Sequence, residues 1–204
     1  MSSSQNKNFS LDLSFQDSAN IINADNRSND IPIETINYFI PSYCRVIHAI
    51  SIDGRSIELD DSTVWKVTTD NPQEIKQYWN TGDIIKISKC NFPSWSGSRF
   101  FLINDSKNIY CYAELHLPPH TDHPNTNRII DVNTYTNSVT LQNNQGFRTA
   151  WKVDPADHFQ LRCWKVGHHV IVGVNAGNCS NWFSKYENIL YNIETDYISK
   201  VNEM

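Results

Sequence analysis

Laid against itself at a lag of about 83 residues, the chain matches itself, and this constrains its fold more than any other feature. Arg45-Val46-Ile47 falls on Arg128-Ile129-Ile130, and Ser56-Ile57-Glu58-Leu59 on Ser138-Val139-Thr140-Leu141. Val64-Trp65-Lys66-Val67 falls on Ala150-Trp151-Lys152-Val153. Asn71-Pro72 and Asp154-Pro155 come next, then Trp79 and Trp164, each shortly before a glycine, Gly82 or Gly167. Asp83-Ile84-Ile85-Lys86-Ile87 finally lies over His168-His169-Val170-Ile171-Val172. Elements repeated in one order, with gaps of a few residues, imply two copies of one module of roughly eighty residues.

Each matched segment has a local reading. In Val64 to Val67 the side chains alternate across a strand, so Trp65 and Val67 share one face and Lys66 takes the other; Trp151, Val153 and Lys152 repeat this. Asn71 reads as an N-cap, with Pro72 in the first turn and Glu74 at N3, and Asp154-Pro155-Ala156-Asp157 offers a similar start. These signals predict helices of about two turns at most. Gly82 and Gly167 supply the turn before the next apolar strand. Phe100-Phe101-Leu102-Ile103 and Ile109-Tyr110-Cys111-Tyr112, separated by a polar turn, read as a hairpin, with Trp182-Phe183 and Ile189-Leu190-Tyr191 as its shorter counterpart. The expected fold is mainly β, a tandem duplication of a small five-stranded barrel, OB-like or SH3-like, with one short helix per copy.

The organisation follows: a polar tail over residues 1–34, a first module over 35–117, a Pro/His linker over 118–127 and a second module over 128–204. Residues 35–44, rich in Ile, Tyr and Phe, are expected to pack on the first module. The tail holds five acidic and two basic side chains, and each module is nearly neutral. Neither module offers by count the basic face that a phosphate backbone needs, which argues against nucleic acid as partner. No apolar run approaches the ~18 residues of a membrane-crossing helix, so no membrane association is expected. The five cysteines, Cys44, Cys90, Cys111, Cys163 and Cys179, are odd in number and form no CxxC pair. Reduced buried thiols and a cytoplasmic chain follow from that.

The string Ile57-Glu58-Leu59-Asp60-Asp61-Ser62 leading to Trp65-Lys66-Val67, with Trp79 and Gly82-Asp83 beyond, resembles a short β module of uncharacterised bacterial proteins, including those of chlamydia-like intracellular bacteria. The second copy departs from it, with Gln142-Asn143-Asn144 in place of the acidic turn and His168 in place of Asp83. The resemblance implies a small barrel and carries no activity. The Met-Ser-Ser-Ser start of the polar tail resembles type III export signals, so export to a host cell is a second expectation for location.

Burying one tryptophan removes around 200 Å² from water, on the order of 4 to 5 kcal/mol, and a small module needs that; Trp65, Trp79, Trp151 and Trp164 are therefore assigned to the core. Trp95 lies instead in a loop composition, Asn91 to Ser98, making Phe92, Trp95 and Arg99 the candidate binding residues. His116, His120 and His123 have the residue types for a metal, but their spacing fits no established zinc pattern and Pro118-Pro119 bars a helical i, i+4 face. Cys179 sits in a polar setting with no identified base. No catalytic motif stands out. The leading expectation is a non-enzymatic binding or adaptor protein, without cofactor, taking protein or peptide through loops. A single-stranded nucleic-acid binder of OB type and a metal-dependent hydrolase using the linker histidines are the alternatives.

Overall fold

In the computed structural model, which describes residues 40–90, 97–176 and 184–204, the alternating segments become strands that close into two rings. The first ring contains β1 (Cys44–Ile50), β2 (Ser56–Leu59), β3 (Val64–Val67), β4 (Ile84–Lys89), β5 (Phe100–Asn104) and β6 (Ile109–Leu117), with helix α1 (Gln73–Tyr78) between β3 and β4. Its hydrogen-bonded order is β1-β2-β3-β6-β5-β4, closed by β1 against β4. The second ring contains β7 (Asn127–Asn133), β8 (Ser138–Asn143), β9 (Arg148–Val153), β10 (His169–Val174), β11 (Asn188–Asn192) and β12 (Tyr197–Glu203), with a 3-10 helix (Pro155–Cys163) between β9 and β10. Its order is β7-β8-β9-β12-β11-β10, closed by β7 against β10.

Six strands, not five, therefore close each ring. The extra strand enters because β6 is long: its first residues pair with β5 and its last with β3, so both arms of the hairpin belong to the wall. The helical starts also differ from expectation. Asn71 does not cap α1; its amide donates to Glu74 at 2.9 Å, and Pro72 takes the N-cap position. Asp154 does cap, its carboxylate accepting from the Ala156 N–H at 3.0 Å, but it starts a 3-10 helix of 9 residues, about three turns rather than two.

The sequence match is also shifted by one residue at the first strand. Ile47 and Ile129, rather than Ile47 and Ile130, are counterparts: the Ile47 N–H donates to Asp83 O at 3.0 Å and the Ile129 N–H to His168 O at 2.8 Å. Each strand carries a bulge just beyond that point, between Ile47 and Ala49 and between Ile129 and Asp131. Since the bulge falls at the same place in both strands, the offset comes from the adjacent Ile129 and Ile130, either of which can be laid on Ile47.

Inside the rings the assigned tryptophans are buried: Trp65 and Trp151 fully, Trp79 and Trp164 nearly so. Each of the first two donates its indole N–H to the threonine two residues earlier, Trp65 to Thr63 and Trp151 to Thr149, both at 2.9 Å. Gly82 and Gly167 occupy the left-handed region at φ 91° and 93°.

The rings share a wall. β10 runs parallel to β4, with Val174 opposite Ser88, and the Ala176 N–H donates to the buried Ser88 hydroxyl at 3.1 Å. Side chains on β10, β11 and β12 alternate, so Val170, Val172, Leu190 and Val201 fill the second ring while Ile171, Ile189, Tyr191 and Ile198 complete the core of the first. In the other direction Tyr43, just before β1, packs against the second core, while the carbonyls of Ser42 and Cys44 accept from Arg45 of the first ring. The pairing order β1–β4–β10 accounts for this, since it brings the start of β1 beside the second ring.

Gly173 allows the close approach of β4 and β10. A Cβ there would stand 2.2 Å from Ile87 O and 3.2 Å from Ile189 Cγ1. Gly173→Ala is expected to cost about 1–3 kcal/mol by forcing the two walls apart, and faster amide exchange at Val174 and Ile87 in the variant would show it.

Candidate binding site

The β1–β2 hairpin turns through Ser51 to Arg55. The Ser51 hydroxyl donates to Asp53 Oδ1 at 2.7 Å, the Arg55 N–H donates to the same oxygen at 3.0 Å, and the Gly54 N–H donates to Ser51 O at 2.9 Å. The hydroxyl and amide bonds hold the Asp53 carboxyl below the usual carboxylate range. Gly54, at φ 71°, presses on the start of α1 so closely that a Cβ would lie 2.1 Å from Pro72 O. The turn is thus held by its own bonds and by contact with α1, yet it leaves Ile52 outside, 87% exposed.

Between this turn and the end of α1 lies a depression of about 340 Å³ lined by Ile50, Ser51, Ile52, Lys76, Trp79, Asn80 and Thr81. Ile50 and Ile52 supply apolar surface over the buried Trp79, and Lys76, Asn80 and Thr81 are the polar residues of the lining. In the second ring the β7–β8 hairpin is built differently but ends similarly: Asn133 Oδ1 accepts the N–H groups of Tyr135 and Thr136 at 3.0 and 2.9 Å, and Tyr135 is 97% exposed. Arg162 also follows the buried Leu161 as Lys76 follows the buried Ile75.

Of the residues singled out in the sequence, Phe92, Trp95 and Cys179 lie outside the described residues. Arg99 is described and spans the two rings. Its guanidinium donates to both carboxylate oxygens of Asp196, at 2.7 and 2.9 Å, and lies 5.5 and 5.6 Å from the ring centres of Phe100 and Tyr191. The Tyr191 hydroxyl donates to the same carboxylate at 2.8 Å. Burial pushes the Tyr191 phenol up to about 12, reinforced by its bond to Asp196. Burial alone would raise Asp196; the bonds from Arg99 and Tyr191 overcome it and hold that carboxyl low. Asp196 adopts φ 60°, a conformation where asparagine is favoured, and its carboxylate joins the two rings.

His116, His120 and His123 are not brought together, and among the described residues no three His, Cys, Asp or Glu side chains group as a metal site. His120 Nδ1 accepts the Asp122 N–H at 3.4 Å and His123 Nδ1 the Asn125 N–H at 3.3 Å, so both rings serve their own turns. The thiols are not uniformly buried. Burial raises Cys44 to about 11 and Cys111 to about 12, whereas Cys163 is exposed. Among the described residues no helix is long and apolar enough to cross a membrane.

A third exposed apolar group lies on the outer face of β5 and β6, where Tyr110 is half exposed and its ring meets those of Phe101 and Tyr112 edge-on at 5.8 and 5.9 Å. The row continues into Glu114, whose carboxylate accepts the Arg99 N–H. Ile52 was missed in the sequence although a signal was present: an isoleucine inside Ser-Ile-Asp-Gly, otherwise a turn composition. Lys76 gave no signal, because a lysine on a short helix is ordinary.

No family model, no curated protein and no solved structure matches this chain.

Proposed function

We propose that the chain is a non-enzymatic binding protein, a tandem duplication of a small OB- or SH3-like barrel, that engages a protein or peptide partner through its hairpin and loop tips. The observation that carries this is the pair Ile52 and Tyr135, 87% and 97% exposed at the tips of corresponding hairpins. A single exposed apolar side chain is ordinary, but its recurrence at the same hairpin tip in both rings supports contact with a partner. The duplication is supported by the shared ring order, the paired Trp–Thr bonds and the helix after the third strand in each ring. That helix position favours the OB-type element order. Protein is favoured over nucleic acid because the exposed aromatic row on β6 ends in Glu114, a carboxylate that would oppose a phosphate backbone.

The test is selection from a displayed random-peptide library on the full chain, with the double variant Ile52→Asp/Tyr135→Asp as the comparison. Enriched peptides should bind the wild type at least about tenfold more tightly than the variant, as expected for loss of an apolar anchor. Failure to enrich any sequence, or equal binding to both proteins, would overturn the proposal.

A further inference from the structure

We infer that the chain associates head to tail with a second copy of itself, the outer face of β1, β2 and β3 in one copy docking on the outer face of β7, β8 and β9 in the next. Charge complementarity between these two faces points to it. The pairing fixes which side chains look outward, because the buried Trp65 and Trp151 look inward and their neighbours alternate. On the first ring Glu58 stands between Ala49 and Val64, and Glu114 of β6 stands opposite Lys66. On the second ring the same places are held by uncharged residues: Thr140, between Asp131 and Ala150, and Asn202, opposite Lys152. The second face carries arginines instead, Arg128 and Arg148, which flank Gln142 in register and are both exposed. The paired strand positions of the first face thus hold two carboxylates against the single ammonium of Lys66. Those of the second hold three cations against the single carboxylate of Asp131. Arg99, whose N–H bonds the Glu114 carboxylate, has its own charge paired with Asp196 and leaves that acid uncancelled.

The side chains between the charges are small. Ala49 and Val64 flank Glu58, and Ala150 lies between Arg148 and Lys152 along β9. Two such faces can stack at the ~10 Å spacing of packed sheets, with the long charged side chains reaching across. A second copy fits the basic face better than a polyanion does. The same molecule supplies the acidic counterpart on the equivalent strands, and Asp131 among the cations would oppose a phosphate backbone. Because the two faces differ, the contact is heterologous: each copy joined through one face keeps the other free, so association continues beyond the dimer. The contact uses strand faces rather than hairpin tips, so this inference and the peptide-binding reading stand or fall separately.

The experiment is analytical ultracentrifugation of the full chain at about 10 mM salt, where charges are screened over about 30 Å, and at about 1 M, where they are screened over about 3 Å. At roughly 100 µM protein the wild type should form dimers and larger species at low salt and be monomeric at high salt. Two charge-reversed variants then separate the faces: Glu58→Lys/Glu114→Lys, and Arg128→Glu/Arg148→Glu. Each carries two faces of one sign and should stay monomeric alone, its self-association weakened at least about tenfold. An equimolar mixture brings opposite signs together again and should associate at low salt. A wild type that is monomeric at low salt, or whose association survives high salt, overturns the inference. So does a mixture that stays monomeric when both variants keep the wild-type near-ultraviolet circular dichroism of their buried tryptophans.

Discussion

Asp61→Ala is expected to destabilise the protein by about 3–5 kcal/mol, because it strands a buried cation. The Arg45 and Asp61 side chains are 6% and 3% exposed and meet at 3.0 Å. The same carboxylate accepts the Thr63 N–H at 3.0 Å and the Thr63 hydroxyl at 2.6 Å, and Thr63 in turn accepts the Trp65 indole N–H. Arg45 also donates to the carbonyls of Ser42 and Cys44, at 2.9 and 2.8 Å. Removal of Asp61 takes from the buried guanidinium its hydrogen-bonded carboxylate, leaving Asp60 as the nearby acid, and frees the threonine that positions Trp65. Urea denaturation of the variant measures the cost. The double variant Arg45→Met/Asp61→Leu should regain most of it, since replacing both members of a buried pair by apolar groups is often near neutral. A double variant as unstable as Asp61→Ala would show that the loss comes from the threonine bonds rather than from the stranded charge. The second ring lacks this pair: Phe147, two residues before Thr149 as Asp61 is before Thr63, is 67% exposed.

Trp151→Ala should be as severe, about 3–5 kcal/mol for a fully buried indole, and its effect should not stay in the second ring. Ile171, Ile189, Tyr191 and Ile198 stand on the outer side of the strands whose inner side packs around Trp151, and they form part of the first ring's core. Loosening β10 to β12 therefore uncovers Phe100, which contacts Tyr191 at 5.0 Å between ring centres. Amide exchange in Trp151→Ala should accelerate at Leu102 and Cys111 of the first ring together with Val170 and Val172 of the second. Unchanged protection of Leu102 and Cys111 would mean that the rings unfold independently.

Much of this architecture was legible in the residues. The alternation around Trp65 and Trp151 fixed which side chains face inward, because successive side chains on a strand point to opposite faces. Asp154-Pro155 marked a helical start, and Gly82 and Gly167 marked the turns. The ring closure was less legible, because a long strand such as β6 that pairs with two neighbours has the same local pattern as one that pairs with a single neighbour. The candidate site was barely legible. Ile52 could be recognised in a turn composition, but its proximity to Lys76, 24 positions later in the chain, depends on the close packing of Gly54 against Pro72.

Local pattern alone settled that this chain makes strands and where their buried faces lie, since each of these depends on residues a few positions apart. The joining of the two rings was decided only in three dimensions. Val170-Ile171-Val172 and Ile189-Leu190-Tyr191 are continuous apolar runs, the pattern of strands covered on both faces. Nothing in the runs themselves says that the second cover is the core of the other ring. That outcome depends on Gly173 letting one backbone approach another, and on Arg99 reaching Asp196, contacts between residues 86 and 97 positions apart in the chain.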